Sequence, residues 1–178
     1  MLLKPVIIKY LTTTIIAPHG VTDLIHAKQT NNLISLINIY GTTNGLFYIL
    51  STLDQEIVIN TILFITSTIH FQKDIPLRDE KKRYLFTSLL LLYFIFFNAT
   101  SIFTYLTFVH VPNHYLYNWK FLKKEKILSF IVILFTTLLS FHFGNEYFEI
   151  YKDTLSFDII KAIIISHILY EELYINNY

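Results

Sequence analysis

An apolar run from Leu85 to Val109 constrains the fold of this chain more than any other sequence feature. It exceeds the roughly 20 residues that a helix needs to cross the hydrocarbon core of a bilayer. Further apolar stretches lie at residues 2–17, 33–53, 57–71, 127–143 and 155–170. These runs are continuous, without the alternation that a barrel strand requires, and a helix satisfies its own backbone polar groups in lipid. The sequence therefore predicts an all-α, polytopic integral membrane helical bundle with about 5–6 transmembrane helices.

Composition agrees with a chain surrounded by lipid. Hydrophobic residues make up 53% and charged residues 15% of the 178 residues, and mean hydropathy is +0.48. Soluble domains average roughly 45–50% apolar and about 25% charged residues. We therefore expect a multi-pass membrane protein forming a single membrane-embedded domain, residues 1–178, with its N-terminal apolar segment retained because no small-residue cleavage site follows it.

Charge and cysteine content exclude several classes of function. The formal net charge of +1 gives no basis for nucleic-acid binding, so we expect no nucleic-acid partner. The chain contains no Cys, which excludes disulfides and thiolate metal ligands.

Two basic segments pose a topological problem. Residues 72–84 and 115–126 are both rich in Lys and Arg, and the positive-inside rule assigns both to the cytoplasm. A single straight span between them would separate them across the membrane. Either one basic segment is extracytoplasmic, or residues 85–119 do not cross once and break near Asn98 and Ala99.

Histidine is the most informative polar residue in this chain. Most of the seven lie within or at the ends of apolar runs, and they are His19, His26, His70, His110, His114, His142 and His167. An ionisable side chain within a membrane segment is costly, so its default interpretation is functional. The alternative for any single one is a hydrogen-bonded packing residue.

Three histidines are each followed by a carboxylate four residues later. The pairs are His19 with Asp23, His70 with Asp74, and His167 with Glu171. Residues i and i+4 share a helix face, and a metal-bound imidazole usually donates its other N–H to a carboxylate or carbonyl. The spacing therefore predicts that Asp23 orients His19 and that Asp74 orients His70. The alternative is a charged helix end, where acidic residues are common anyway.

The segment His110-Val-Pro-Asn-His114 is the strongest local motif. Two histidines at i and i+4 can bind one metal ion together, and Pro112 should kink the helix that carries them. With His19 and His70 they make four imidazoles from three separated segments. Imidazole ligands suit Zn, Cu, Fe or Ni, and the spacing does not choose among these metals.

At these residues the chain resembles the Brp/Blh family of membrane-embedded β-carotene 15,15'-dioxygenases. The matching pieces are PHGVTD (18–23), HFQKD (70–74) and HVPNH (110–114). Bacterial family members are longer, mainly between the second and third motifs, so the resemblance covers the motifs and the general hydropathy. It implies an Fe(II) cofactor whose ligands are His19, His70, His110 and His114. It also draws attention to His167, with Glu171 beside it, as residues surrounding those ligands.

The resemblance further implies the reaction and its partners. β-Carotene or a related carotenoid would be cleaved at its central double bond by dioxygen to give retinal, which a rhodopsin could receive. Aromatic residues close to the ligands in sequence would wall the polyene, namely Phe71, Phe108, Tyr115 and Tyr117. Lipid contact or helix packing is the alternative role for each of these rings.

Three other functions compete with this interpretation. A membrane di-iron desaturase needs about eight histidines, including His-His pairs that this chain lacks. A non-catalytic shortened relative could bind a carotenoid or retinal, or assist a rhodopsin. A small transporter could use the histidines as a proton path, since intramembrane His and Asp also form such relays.

Overall fold

The computed structural model describes residues 15–16, 19–97, 99–150 and 154–175, and the described part is helical without strands, which confirms the all-α prediction. The helices are α1 (Thr22–Gln29), α2 (Leu33–Thr52), α3 (Glu56–Phe71), α4 (Glu80–Phe96), α5 (Ala99–Tyr105), α6 (Val111–Leu122), α7 (Lys126–Ile150) and α8 (Thr154–Tyr170). A 3-10 turn, Gln72–Asp74, follows α3, and π-helical turns cover Leu106–His110 and Glu171–Ile175. The apolar stretch 2–17 lies almost entirely outside the described residues, as does Pro18 of the first motif.

The long apolar run is divided between two helices. α4 ends at Phe96 and α5 begins at Ala99, at the polar stretch where the sequence allowed a break. The N-terminal part of α4 contacts the 3-10 turn, because Arg83 Nε donates to Gln72 Oε1 at 2.7 Å. The chain returns to the same turn after α5, since Tyr105 Oη donates to Asp74 Oδ2 at 2.9 Å. Residues 80–113 therefore form a hairpin.

The two short connections around α2 reverse the chain at single residues. Asn31 has φ 58° and Asp54 has φ 54°, both in the left-handed region. Asn and Asp tolerate this conformation better than other non-glycine residues because their short polar side chains bond locally. Such turns fit antiparallel neighbouring helices.

α8 packs most extensively against α2 and also contacts α3. Their common core contains Phe47, Ile59, Ala162 and Ile165, each at most 2% exposed. Ala162 has no exposed surface, so its methyl group lets α8 approach the other helices closely. A second core joins Phe71 of α3 with α4 and α5.

Many apolar side chains of this bundle are exposed, and many polar side chains are buried. Large apolar side chains on the outer helix faces are exposed, such as Ile57 (83%), Phe96 (73%) and Ile127 (78%). Beside its apolar cores, the interior holds histidines, carboxylates, a lysine and hydroxyl groups. An apolar surface of this extent marks contact with a membrane or another protein.

Length and apolar composition together distinguish α2 from the other described helices. Among the described residues, Leu33–Thr52 is the one helix that is both long and apolar enough to cross a membrane. α3, α4 and α8 have 16, 17 and 17 residues, because connecting turns divide the apolar runs. The predicted set of five or six spanning helices therefore stays a prediction.

Candidate metal centre

Five histidines from separate parts of the fold meet between the helices. The residues are His19 before α1, His70 in α3, His110 in the first π turn, His114 in α6 and His167 in α8. The ring centroid of His19 lies 4.9 Å from that of His114, 5.0 Å from His167 and 5.4 Å from His110. The ring of His70 lies 4.9 Å from His110. None of the five is more than 9% exposed, so they form a buried imidazole cluster.

Four of the five imidazoles are held from outside through Nδ1, and the fifth, His114, has the side-chain amide of Asn118 near both of its ring nitrogens. The partners are the carbonyl oxygen of Ile16 for His19, Glu172 Oε1 for His70 (3.3 Å), Asp74 Oδ2 for His110 (2.9 Å), Asn118 Nδ2 for His114 (3.3 Å) and Asp23 Oδ2 for His167 (2.9 Å). Four of these partners are hydrogen-bond acceptors, and Asn118 beside His114 is the exception. The other four rings therefore donate from Nδ1, and in the neutral form each keeps a lone pair on Nε2. Metal-binding histidines are normally oriented in this way.

The opposite ring nitrogens, Nε2, are the atoms of this cluster that could bind a metal ion. Nε2 of His19, His70 and His167 is buried and has no hydrogen-bond partner within the described residues. One unsatisfied buried polar atom costs about 1–3 kcal/mol. Three such lone pairs in one cluster match the donor set of a metal ion, and imidazole nitrogen suits iron, zinc, copper and nickel.

Glu171 lies inside the same cluster. It is 4% exposed, and Oε1 contacts Nε2 of His114 and accepts a hydrogen bond from Asn118 Nδ2 at 3.3 Å. Oε2 lies 3.5 Å from Nε2 of His70 and 4.0 Å from Nε2 of His167. The carboxylate therefore faces inward nitrogens, whereas the sequence suggested a supporting position around the ligands.

Donor atoms close enough to share an ion form two overlapping groups in the described part of the chain. One group is His19, His114 and His167, and the other is His70, His167 and Glu171, with all donor atoms of a group within 4.8 Å of one another. His167 belongs to both groups, although we expected it outside the ligand set. His110 belongs to neither, and its ring lies beside His70.

The carboxylates support different histidines from those that the i, i+4 spacing predicted. Asp23 bonds His167 instead of His19, and Asp74 bonds His110 instead of His70. The reason is packing between helices: α1 lies against α2 and α6, and the 3-10 turn turns Asp74 away from the α3 face that carries His70. The prediction of these two partners was wrong, although both acids lie at the cluster.

Asp74 is the centre of a polar network on the side of α5 and α6. It accepts hydrogen bonds from His110 Nδ1, Tyr105 Oη and Asn113 Nδ2 at 2.9, 2.9 and 3.2 Å. Burial alone raises the pKa of its carboxyl, but these hydrogen bonds outweigh burial and hold the pKa below its usual value. The group is therefore an anion that fixes the orientation of His110.

An apolar cavity of about 650 Å³ adjoins the cluster on one side. Its walls come from α2, α3, α5 and α8 and include Leu36, Leu63, Ile102, Leu106, Ile164 and Ile168, while His19, His70, His110 and His167 lie at its polar side. A volume of this size is typical of a small-molecule site. The cavity can therefore hold an apolar ligand next to the imidazoles.

A second cavity of about 410 Å³ adjoins the cluster on the basic side. Its lining includes Lys73, Arg83 and Asn118, and His70 and His110 border both cavities. The histidines therefore separate an apolar compartment from a polar one.

Only part of the predicted aromatic wall borders these cavities. Phe71 lines the apolar cavity and Tyr117 the polar one. Phe108 is 70% exposed, because Leu106 and His110 of the same π turn occupy the inward positions. Tyr115 is half-buried beside the ring of His114, at 6.4 Å between centroids, and lies outside both linings.

Several residues of the site had not been recognised in the sequence. Asn118 follows His114 by four residues, so the spacing rule applied to the acids would have found it. Tyr40, which donates to Asp23, and Glu172, which contacts His70 and Lys73, carry no comparable local pattern. His26 lies apart and bonds Tyr170 Oη at 3.0 Å, and the side chain of His142 lies outside the described residues.

The residues present fit a resident metal of the kind that imidazole binds, because buried nitrogens without partners converge while their opposite nitrogens are fixed. Comparison with protein-family models, with curated proteins and with solved structures finds no match to this chain.

Proposed function

We propose that this chain is a membrane-embedded, iron-dependent dioxygenase that cleaves the central double bond of β-carotene or a related carotenoid to give retinal. The observation that carries the proposal is the buried imidazole cluster at the side of an apolar cavity of about 650 Å³. A metal site next to an apolar compartment suits a lipophilic substrate. The substrate class itself comes from the resemblance of the three histidine motifs.

A location within the lipid bilayer is part of the proposal. The many exposed apolar side chains and the buried polar groups support it, as do the length and composition of α2. A carotenoid dissolved in the bilayer would reach the apolar cavity from the side, between helices. Retinal, which is also apolar, would leave by the same route, and a rhodopsin in the same membrane could receive it.

His19, His70, His110 and His114 would hold the Fe(II), as the resemblance implies. Bound iron supplies the redox chemistry that lets dioxygen react with a polyene. One carbon–carbon double bond breaks and each carbon gains one oxygen atom, so dioxygen is fully used and no further reductant is needed. Asp74 and the carbonyl of Ile16 keep the rings of His110 and His19 oriented with Nε2 inward.

The cavity walls perform the remaining tasks. Leu63, Leu106 and Ile164 exclude water and give a polyene an apolar surface to lie along. The polar cavity gives the cluster a separate opening towards the basic end of the bundle, where the metal ion can enter. Substrate and metal therefore have different routes to the same centre.

Expression in a bacterial strain that accumulates β-carotene tests this function. We expect loss of the carotenoid and formation of retinal, measured by chromatography of the extracted pigments. His110→Ala should abolish retinal formation, while His26→Gln, at a histidine outside the cluster, should retain it. Unchanged β-carotene with folded, iron-containing protein would contradict the proposal, and carotenoid or retinal bound without cleavage would favour the non-catalytic relative.

A further inference from the structure

We propose that Glu171 is itself a metal ligand, so that the centre combines imidazoles with one carboxylate. This inference rests on the proposed function only in requiring a metal at the cluster. It changes the donor set, because the four-histidine assignment contains no anionic ligand. Glu171 begins the π turn that follows α8, and π turns are frequent at functional sites.

The buried carboxylate of Glu171 requires a positive charge beside it. The side chain is 5% exposed, and within the described residues no Lys or Arg pairs with it. Its neighbours are Nε2 atoms of three histidines and the amide of Asn118. A buried carboxylate without a compensating charge is strongly destabilising, so either a metal ion or an imidazolium must neutralise it.

The rings of His167 and His70 each lie between two carboxylates, an arrangement that a metal ion beside Glu171 completes when the rings are neutral. His167 has a carboxylate on each side, Asp23 at 2.9 Å from Nδ1 and Glu171 at 4.0 Å from Nε2. His70 is flanked in the same way by Glu172 at 3.3 Å and Glu171 at 3.5 Å. A neutral imidazole has one hydrogen, which goes to the nearer carboxylate. The lone pair on Nε2 of each ring then faces the lone pairs of Glu171, and a cation between them resolves the repulsion.

The distances between these atoms suit ligands of one ion. Zinc serves as the reference, with bonds of about 2.0–2.2 Å to nitrogen and oxygen, so two of its ligands lie at most roughly 4.4 Å apart, when they stand on opposite sides of the ion. Oε2 of Glu171 lies 3.5 Å from Nε2 of His70 and 4.0 Å from Nε2 of His167. Both separations are longer than a hydrogen bond and within this limit. The group His70, His167 and Glu171 therefore matches a metal site as it stands.

A carboxylate ligand also changes the electronic character of the centre. It reduces the net charge of a divalent ion and its ligands by one unit, whereas four neutral imidazoles leave that charge intact. Net charge is one of the factors by which a protein adjusts a metal's reduction potential. Removing the anionic ligand should therefore raise the reduction potential of bound iron.

Titration of the purified, full-length protein in detergent with Co²⁺ alone tests the assignment without relying on catalysis. We expect Glu171→Gln to weaken Co²⁺ binding by more than the ~10–100-fold typical of losing an outer partner. Glu172→Gln, the same change at the adjacent residue outside the ligand group, should fall within that range. Glu125→Gln, at an exposed partner of Lys28, should leave the affinity unchanged. Circular dichroism establishes that each variant is folded.

A second variant and a second readout separate ligation from structure. Glu171→Asp keeps a carboxylate and should recover part of the Co²⁺ affinity and of the cobalt absorption bands. The reduction potential of the iron-loaded protein should be higher in Glu171→Gln than in the unchanged chain. Unchanged Co²⁺ affinity and potential in folded Glu171→Gln would overturn the assignment.

Different results would overturn the Glu171 assignment and the proposed carotenoid cleavage. If the unchanged chain binds neither Co²⁺ nor iron, the ligand assignment and the iron-dependent function are both overturned. If it binds metal through Glu171 but forms no retinal, the ligand assignment is supported and the proposed reaction is overturned.

Discussion

Oδ2 of Asp23 lies 2.9 Å from Nδ1 of His167, although 144 residues separate the two in the chain. The same oxygen accepts a hydrogen bond from Tyr40 Oη at 2.9 Å. One carboxylate of α1 is thereby joined to α2 and α8. Since Nε2 of His167 faces the imidazole cluster, this contact links the packing of three helices to the geometry of the candidate metal centre.

Where the metal is bound by the group His70, His167 and Glu171, replacing Asp23 should weaken metal binding without removing a ligand. In Asp23→Asn the neutral amide is a poorer acceptor for His167 Nδ1, so the ring loses both its orientation and part of its basicity. We expect Co²⁺ affinity to fall ~10–100-fold, the usual effect of losing an outer partner. Tyr40→Phe removes a contact one step further away and should have a smaller effect. Equal affinities for Asp23→Asn and the unchanged chain would contradict this role.

The contact between Asp23 and His167 could not be predicted from the sequence. The i, i+4 rule describes neighbours on one helix, and it located Asp23 and Asp74 at the site. It could not identify their partners, because contacts between helices decide them. His19 precedes α1, and Asp74 follows α3 in a tighter turn, so neither pair lies on a continuous α-helix. The inward position of His167 likewise depends on how α8 packs against α2.

Filling the apolar cavity should strongly reduce the proposed retinal formation while sparing metal binding. Ser67 is 7% exposed and lies in the wall of that cavity, one turn before His70. A phenyl ring in Ser67→Phe would occupy space that the proposed polyene substrate needs, and even a small misplacement of a substrate can cost about 100-fold in rate. Retinal formation should fall by that order. Thr61→Phe, on the outer face of α3, is the matched control and should remain active.

Metal content distinguishes a blocked cavity from a damaged site. Ser67→Phe should bind Co²⁺ with the affinity of the unchanged chain, because its side chain provides no metal ligand. Loss of both metal and activity would mean that the substitution disturbs His70. Full activity in this variant would exclude the cavity as the substrate site.

Close packing of α8 should make Ala162 intolerant of a larger side chain. Its methyl group is fully buried among Phe47, Ile59 and Ile165. Overpacking a filled core typically costs about 1–3 kcal/mol of unfolding free energy. Ala162→Leu should therefore lower the thermal midpoint of the detergent-solubilised protein, while Thr61→Leu on the exposed face should leave it nearly unchanged. A stabilised Ala162→Leu would mean that the helices can separate without cost.

The break between α4 and α5 bears directly on the topology of the proposed membrane-embedded chain. Tyr117 Oη donates to the carbonyl of Lys73 at 3.4 Å, so the two basic segments lie at the same end of the bundle. The sequence offered this arrangement as one of two alternatives. Hydropathy could not choose between them, because an apolar run has the same hydropathy profile whether it crosses the membrane once or turns back. The turn depends on the contacts of Asp74 with residues 105–113, which no local pattern encodes.

Cysteine accessibility can test this topology, because the chain contains no native Cys. Lys81→Cys and Lys123→Cys lie in the two basic segments, and both should react with a membrane-impermeant maleimide from the cytoplasmic side. Gln55→Cys, in the turn between α2 and α3, lies at the opposite end of α3 and should react from the other side. Labelling is measured by a gel shift in intact cells and in inverted vesicles. Reaction of Lys81→Cys and Lys123→Cys from opposite sides would contradict the hairpin, since residues 85–119 would then cross the bilayer once.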